Sequence, residues 1–152
     1  MIEGVVIKAL TPHKDQRGWL AEVFRADETD ESIKPLMAYV SVTLPGVARG
    51  PHEHRHQTDW FAFAGPSNFK VYLWDNRAGS KTYGQREVFS AGEDEPRVVV
   101  IPPGVVHAYK NVGPVPGFAF NSPNRLYRGY GKKEDVDEVR HEDRPGSLFI
   151  ID

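Results

Sequence analysis

The chain has 152 residues, with 19 Lys and Arg against 21 Asp and Glu and no cysteine. This length supports one hydrophobic core of ordinary size, so we expect a single domain over residues 1–152. The near-balanced charge excludes nucleic acid and anionic membranes as the main partner, and the missing thiols exclude disulfides and a cysteine nucleophile.

The N-terminal sequence predicts a soluble, cytoplasmic protein. It lacks a basic stretch followed by an apolar run of signal-peptide length, and no apolar run in the chain approaches ~20 residues. With nucleic acid and membranes excluded, a small ligand or another protein is the expected partner.

Short apolar or alternating runs follow one another along the chain, and each predicts a β-strand. In order they are GVVIKAL, WLAEVF, MAYVSVTL, DWFAFAG, FKVYLWD, REVFSAG, RVVVIPPG, HAYKNVG, GFAFNSP and SLFIID. Gly, Pro, Asn or Asp bounds most of them at intervals of roughly 8–12 residues, which is typical of a sandwich or barrel. The two helix candidates, DETDESIK and GKKEDVDEVRHE, are short and too charged for core helices. The pattern predicts one all-β domain with its ligand in the mouth of a barrel.

The stretch RGPHEHRHQTDW places three of the six histidines at alternate positions. In an extended strand, His52, His54 and His56 share one face, while Glu53 and Arg55 share the other. A strand that is polar on both faces does not belong to a core. Three interpretations remain open: metal ligands, a catalytic base with its neighbours, or an exposed edge strand without chemistry.

A second motif lies downstream in PPGVVHAYKN, which follows the strand RVVVI. Together with Gly46, the HxH pair and Asp59, it resembles the two motifs of the cupin superfamily, whose jelly-roll β-barrel carries its site inside. A metal-binding cupin would use His52, His54, Asp59 and His107 as ligands, a set suited to iron, manganese, nickel, zinc or copper. This alternative predicts an oxygenase or a metal-dependent isomerase, and metal analysis of untagged protein distinguishes it.

Four longer segments resemble the dTDP-4-dehydrorhamnose 3,5-epimerase family, and together they cover nearly the whole chain. They are DQRGWLAEVF, GVARGPHEH, WDNRAGSKTYG with VIPPGVVHAYKN, and FAFNSPNRLYRG with VRHEDRP. The resemblance implies an epimerase or isomerase of a dTDP- or other NDP-linked 4-keto-6-deoxy sugar in deoxysugar or polysaccharide biosynthesis. It also implies catalysis without a metal or other cofactor, and a homodimer.

The resemblance also implies a role for individual residues. His52 would be the base that removes a proton beside the keto group, Asp143 the carboxylate that orients it, and Tyr127 the acid on the opposite face. Such a division of labour is chemically sound, because a carboxylate fixes the imidazole tautomer and stabilises the imidazolium. The implied substrate-binding residues are Arg17, Glu22, Arg49 and His107.

Several departures from the family pattern identify a divergent member. His54 replaces a glutamine, and Asp59 stands where the family has a substrate-binding lysine. Pro123 and one extra residue make Tyr127 and Tyr130 competing candidates for the acid. A non-catalytic sugar-binding cupin therefore remains a second alternative.

Overall fold

The computed structural model describes all 152 residues and is almost entirely β-structure. The strands are β1 Val6–Ala9, β2 His13–Asp15, β3 Gly18–Leu20, β4 Tyr39–Thr43, β5 Ala48–Glu53, β6 Asp59–Phe63, β7 Asn68–Asp75, β8 Arg86–Gly92, β9 Arg97–Ile101, β10 Val105–Asn111, β11 Gly117–Asn121 and β12 Val139–Arg140. Its three helices are single 3₁₀ turns at Ala26–Glu28, Glu31–Ile33 and Tyr130–Lys132. None of them has the length and apolar character that a membrane span requires. The predicted all-β class with short helices is confirmed.

Two antiparallel five-stranded sheets make up the body of the fold, and β2 pairs with β3 as a separate hairpin. One sheet has the order β1-β9-β6-β11-β4, and the other has the order β12-β5-β10-β7-β8. A single core cluster joins Phe61 and Val99 of the first sheet to Phe69, Leu73 and Tyr109 of the second. The two sheets therefore pack face to face, as expected for the predicted jelly roll.

The apolar C-terminal segment is not the strand that its sequence predicts. Residues 141–152 contain no strand; instead, Phe149 and Ile151 pack on the outer face of the second sheet against Tyr72 and Trp74. This explains why β7 is apolar on both faces. The WLAEVF run is also only partly a strand, because β3 ends at Leu20.

The DNRAGSKT sequence after β7 forms a turn organised by one buried carboxylate. Asp75 accepts hydrogen bonds from Arg77 Nε at 2.8 Å, from Ser80 Oγ at 2.5 Å and from Thr82 Oγ1 at 2.5 Å. Burial opposes ionisation, but these donors outweigh it and hold the pKa of Asp75 below its ordinary value. This part of the epimerase-like pattern thus has a clear structural function.

We expect Asp75→Asn to lower the free energy of unfolding by about 3 kcal/mol, because it leaves the Arg77 guanidinium without its buried partner. Since the pKa of Asp75 is depressed in the folded protein, this stabilisation is present above the ordinary aspartate value of 3.8 and is lost as the pH falls below it. Urea denaturation of the variant beside Asp94→Asn, an exposed carboxylate, measures the difference. Equal stability of the two variants would contradict a structural role for Asp75.

Candidate active site

A cavity of about 1350 Å³ opens between the body of the sheets and the segment that connects β11 to β12. Strands β4 and β5 and residue Tyr109 of β10 form one side, and residues 123–142 supply most of the other. Three of the histidines singled out in the sequence, His52, His54 and His107, meet beside it.

The three histidines come together because β5 pairs with β10. His107 lies directly opposite His52 in the register, and their ring centroids are 4.5 Å apart. His54 lies two residues further along the same face, and all three side chains offer nitrogens within 4.8 Å of one another. His56 is exposed in the turn after β5 and does not join them. The alternation of side chains along the strand thus predicted two members of the cluster, His52 and His54.

Close approach of the two strands requires the glycine of the RGPH sequence. Gly50 has a φ of +79°, and a Cβ at this position would lie 2.5 Å from the carbonyl oxygen of His107. A larger residue would force β5 away from β10. Gly50 therefore lets the backbone bring His52 and His107 together.

Asp59 bridges the two sheets beneath the cavity. Its carboxylate is 1% exposed, and Oδ2 lies 3.2 Å from Nε2 of both His54 and His107. Oδ1 accepts hydrogen bonds from Gln57 at 2.9 Å and Asn121 at 2.8 Å. The turn between β5 and β6 rotates Asp59 inward, although its position in the sequence is out of phase with the histidines.

The three imidazoles have different electrostatic surroundings. Burial, together with the neighbouring His107, lowers the pKa of His52 to about 2. Burial also works against a charged His54, but the contacts with Asp59 and Asp137 prevail and raise its pKa to about 9. Around neutral pH, His52 is therefore a neutral imidazole able to accept a proton, while His54 is an imidazolium paired with Asp59.

The carboxylate that the structure places beside His52 is Glu138, whereas the resemblance implied Asp143. Glu138 Oε1 lies 3.8 Å from His52 Nδ1, and both side chains are largely buried. Strand β12 pairs Arg140 with His52, so Glu138, the residue just before β12, lies near His52. Asp143 lies beyond β12 in an exposed turn and makes no ion pair with a histidine.

Of the two tyrosines that compete for the acid position, Tyr127 lines the cavity and Tyr130 does not. Tyr39 and Tyr109, which the sequence did not single out, also line it. Burial raises the pKa of both, so both remain protonated phenols. Tyr109 shares a 2.8 Å hydrogen bond with Ser41.

Of the four predicted substrate-binding residues, the structure places two at or beneath the cavity and two outside it. Arg49 lines the cavity, where Thr43 Oγ1 accepts from its Nε at 3.0 Å, whereas His107 is buried beneath it. Arg17 and Glu22 lie outside the cavity and form local ion pairs on the surface.

The sequence did not identify five further cationic side chains around the cavity. Besides Arg49, these lining residues are Arg55, Arg125, Arg128, Lys132 and Arg140. Among all six, only Arg140 has an ion-pair partner, Glu138 at 2.8 Å. The other five leave positive charge available at the cavity wall. Most of these residues lie in an irregular segment, where no periodic pattern predicts which way a side chain points.

The histidine cluster also fits a transition-metal ion by its donor chemistry. Asp59 Oδ2 and His107 Nε2 are buried, and although they lie 3.2 Å apart, neither makes a well-aligned hydrogen bond. Val105 O accepts from His107 Nδ1 at 3.1 Å, and the carbonyl of Asp137 contacts His54 Nδ1, so both Nε2 atoms face Asp59. Imidazoles oriented by backbone carbonyls are common around metals.

Comparisons with known proteins agree on one family. The sequence profile described as dTDP-4-dehydrorhamnose 3,5-epimerase matches residues 1–130. The probable low-salt glycan biosynthesis epimerase Agl13 of Haloferax volcanii is 38% identical over 140 residues, covering 91% of this chain and 86% of the relative. The spore coat polysaccharide biosynthesis protein SpsL of Bacillus subtilis is 40% identical over 117 residues, or 76% of each chain.

Solved structures give the same result. The dTDP sugar isomerase of Desulfovibrio desulfuricans superposes with a TM-score of 0.84 at 25% identity, covering 98% of this chain and 91% of that one. NovW, a 4-keto-6-deoxy sugar epimerase of Streptomyces spheroides, has the same fold, with a TM-score of 0.79 at 22% identity over 98% of this chain and 74% of its own. Taken with the profile match, these findings show that the chain belongs to the dTDP-4-dehydrorhamnose 3,5-epimerase family.

Proposed function

We propose that the protein epimerises a dTDP- or other NDP-linked 4-keto-6-deoxy sugar by removing a proton beside the keto group, in glycan or polysaccharide biosynthesis. The observation that supports this proposal most directly is the neutral imidazole of His52, which lies at the wall of a large cavity with the Glu138 carboxylate 3.8 Å away. The names of Agl13 and SpsL support this biosynthetic setting.

The chemistry needs a base, a stabilised enolate and an acid. The C–H bonds beside a ketone are acidified, so a positioned neutral imidazole can accept the proton. The negative charge that develops on the keto oxygen requires a nearby donor or cation. We assign reprotonation to Tyr127, because it lines the same cavity. Delivery of the proton to the face opposite His52 would invert the carbon.

We assign the diphosphate to cationic side chains at the cavity wall, in place of the predicted Arg17. Arg49, Arg125, Arg128 and Lys132 line the cavity without carboxylate partners. Guanidinium groups form paired, charge-assisted hydrogen bonds with phosphate oxygens. The 4-keto sugar would then lie towards His52, with the nucleotide towards the open side.

Solvent deuterium exchange tests the proposed function. A panel of NDP-4-keto-6-deoxy sugars is incubated with the enzyme in D₂O, and deuterium at C3 and C5 is measured by mass spectrometry and NMR. Incorporation at either carbon is expected, and it reports proton abstraction whatever the final product. Nucleotide-sugar binding without exchange on any member of the panel would favour the non-catalytic sugar-binding alternative.

The metal-dependent oxygenase alternative is not favoured, because the family and its named relatives are sugar epimerases. If the chain does bind an ion, the nitrogens of His52, His54 and His107 would hold it, with the Asp59 carboxylate beside two of them. Bound there, the ion would supply positive charge close to the developing enolate. His52 would then be a ligand and not the base.

Glu138→Gln should reduce the exchange rate by roughly 10-fold or more, because a charged carboxylate stabilises the imidazolium formed on His52. The separation of 3.8 Å exceeds a hydrogen bond, but such contacts often tighten when substrate binds. Asp143→Asn is the matched test of the pairing implied by the sequence. We expect it to change the rate less than about twofold, since exposed positions tolerate substitution. The reverse order of effects would restore Asp143 as the partner.

We propose a homodimer that covers an apolar face of the first sheet. Val40, Val42, Phe118 and Phe120 project from β4 and β11 and are 36–53% exposed. They form two neighbouring cross-strand pairs, Val40 with Phe120 and Val42 with Phe118. A contiguous apolar patch at a sheet edge typically marks an interface.

Analytical ultracentrifugation checks the proposed dimer. The parent protein is expected to sediment as a dimer, and Val40→Asp to shift it towards the monomer by placing a charge in the interface. Val88→Asp, an exposed valine of the other sheet, should remain dimeric. A monomeric parent protein would contradict the proposal.

A further inference from the structure

Asp137 lies outside every sequence motif, yet it joins the cavity wall to the turn that carries the histidines. Its carboxylate accepts three successive backbone N–H groups, from Arg55 at 3.1 Å, His56 at 2.9 Å and Gln57 at 2.9 Å. Converging backbone N–H groups form an anion-binding concavity. Here a carboxylate some 80 residues away in the sequence fills it.

The backbone of the same residue contacts the histidine cluster. The carbonyl oxygen of Asp137 accepts a hydrogen bond from Nδ1 of His54. This contact keeps a proton on Nδ1 and turns Nε2 towards Asp59 Oδ2, 3.2 Å away. The orientation of His54 therefore depends on where the Asp137 backbone lies.

Asp137 also fixes the residue next to it. Glu138 follows directly and lies 3.8 Å from His52 Nδ1, and β12 begins at Val139. On the other side, residues 125–136 make only one hydrogen bond to the rest of the chain, from Tyr127 N to Met37 Sδ. Along the wall segment, Asp137 is thus the first residue that several hydrogen bonds hold to the rest of the protein. It directly precedes Glu138, the neighbour of His52.

We propose that Asp137 is a positioning residue for the epimerase reaction. It clamps the wall segment onto the β5–β6 turn, and this sets both the Glu138–His52 approach and the orientation of the His54 ring. The proposal rests on the proposed function, in which His52 is the base. A carboxylate suits this role better than an amide, because two charged oxygens satisfy three N–H donors.

Kinetics on three variants test the clamp. Asp137→Ala should lower kcat on the order of 10²-fold with KM nearly unchanged, because displacement of a catalytic group by about 1 Å costs that much. Asp137→Asn keeps one acceptor oxygen and should restore part of the rate. Asp30→Ala is the matched control: it removes a carboxylate that accepts a backbone N–H from Ser32 at 2.9 Å, away from the cavity, and should leave kcat unchanged.

An NMR measurement keeps the proposal falsifiable if catalysis cannot be detected. In the parent protein, the ¹⁵N spectrum of His54 should show a protonated Nδ1 in a fixed hydrogen bond, and Asp137→Ala should abolish that signature while Asp30→Ala preserves it. Calorimetric binding of dTDP checks that each variant keeps a folded cavity. Absent deuterium exchange in the parent defeats the proposed function alone. An unchanged His54 spectrum, or unchanged kcat in Asp137→Ala, overturns the clamp.

Discussion

Replacing His52 with asparagine is expected to slow deuterium incorporation by roughly 10²- to 10⁴-fold, the usual contribution of a general base. Asparagine keeps a polar side chain of similar reach but cannot accept the proton. Of the three clustered histidines, His52 alone lies near a carboxylate outside the Asp59 bridge, Glu138 at 3.8 Å. The loss should therefore appear in kcat more than in KM, because the missing group acts on the reacting bond.

His56→Asn provides the control for this substitution. His56 belongs to the same stretch of sequence, but its side chain is exposed and makes no hydrogen bond or ion pair. We expect its rate to match that of the parent protein. A His52→Asn variant that still incorporates deuterium at the parental rate would transfer the role of base to another group.

Local patterns predicted most of the strands and, on the histidine-rich stretch, two of the three clustered histidines. Strands β6, β7, β9, β10 and β11 all form where apolar or alternating runs predicted them, because a strand buries one or both faces according to its side-chain period. Alternation also placed His52 and His54 on one face. The spacing of PPGVVH placed His107 after a tight turn, at the start of the strand that pairs with β5.

The C-terminal segment and the carboxylate beside His52 could not be predicted locally, because both depend on which distant segments pack or pair together. The apolar residues of SLFIID are compatible with a β-strand and equally with an irregular segment that packs on the outside of a sheet. Only the packing on Tyr72 and Trp74 distinguishes the two. Likewise, the choice between Glu138 and Asp143 follows from the register of β12 against β5. A register shift of a few residues would move a different carboxylate beside His52, and no local sequence pattern reports that shift.

Asp59 departs from the family pattern, because it carries a negative charge at the position where the resemblance implies a lysine. A buried carboxylate between two imidazoles turns His54 into a fixed cation, with a pKa raised to about 9. Nε2 of His54 lies against Asp59 and Nδ1 against the carbonyl of Asp137, so both ring nitrogens are engaged. His54 and Asp59 therefore form an ion pair without net charge that links the two sheets at the cavity wall.

Asp59→Asn should lower the free energy of unfolding by about 3 kcal/mol near neutral pH, since it removes the partner of a buried imidazolium. Asparagine has nearly the same volume and keeps an oxygen for Gln57 and Asn121, so the change isolates the charge. The sign of the pH dependence follows from His54. Its raised pKa means that the pair stabilises the parent fully below the ordinary value of 6.5, and that this stabilisation fades as the pH rises through about 9.

The variant should lack that alkaline loss of stability, because its His54 no longer gains a proton on folding. Urea denaturation across this pH range, with Asp143→Asn as the exposed-carboxylate control, measures both the size and the sign of the effect. Parental stability and an unchanged pH dependence in Asp59→Asn would show that His54 is neutral in the folded protein.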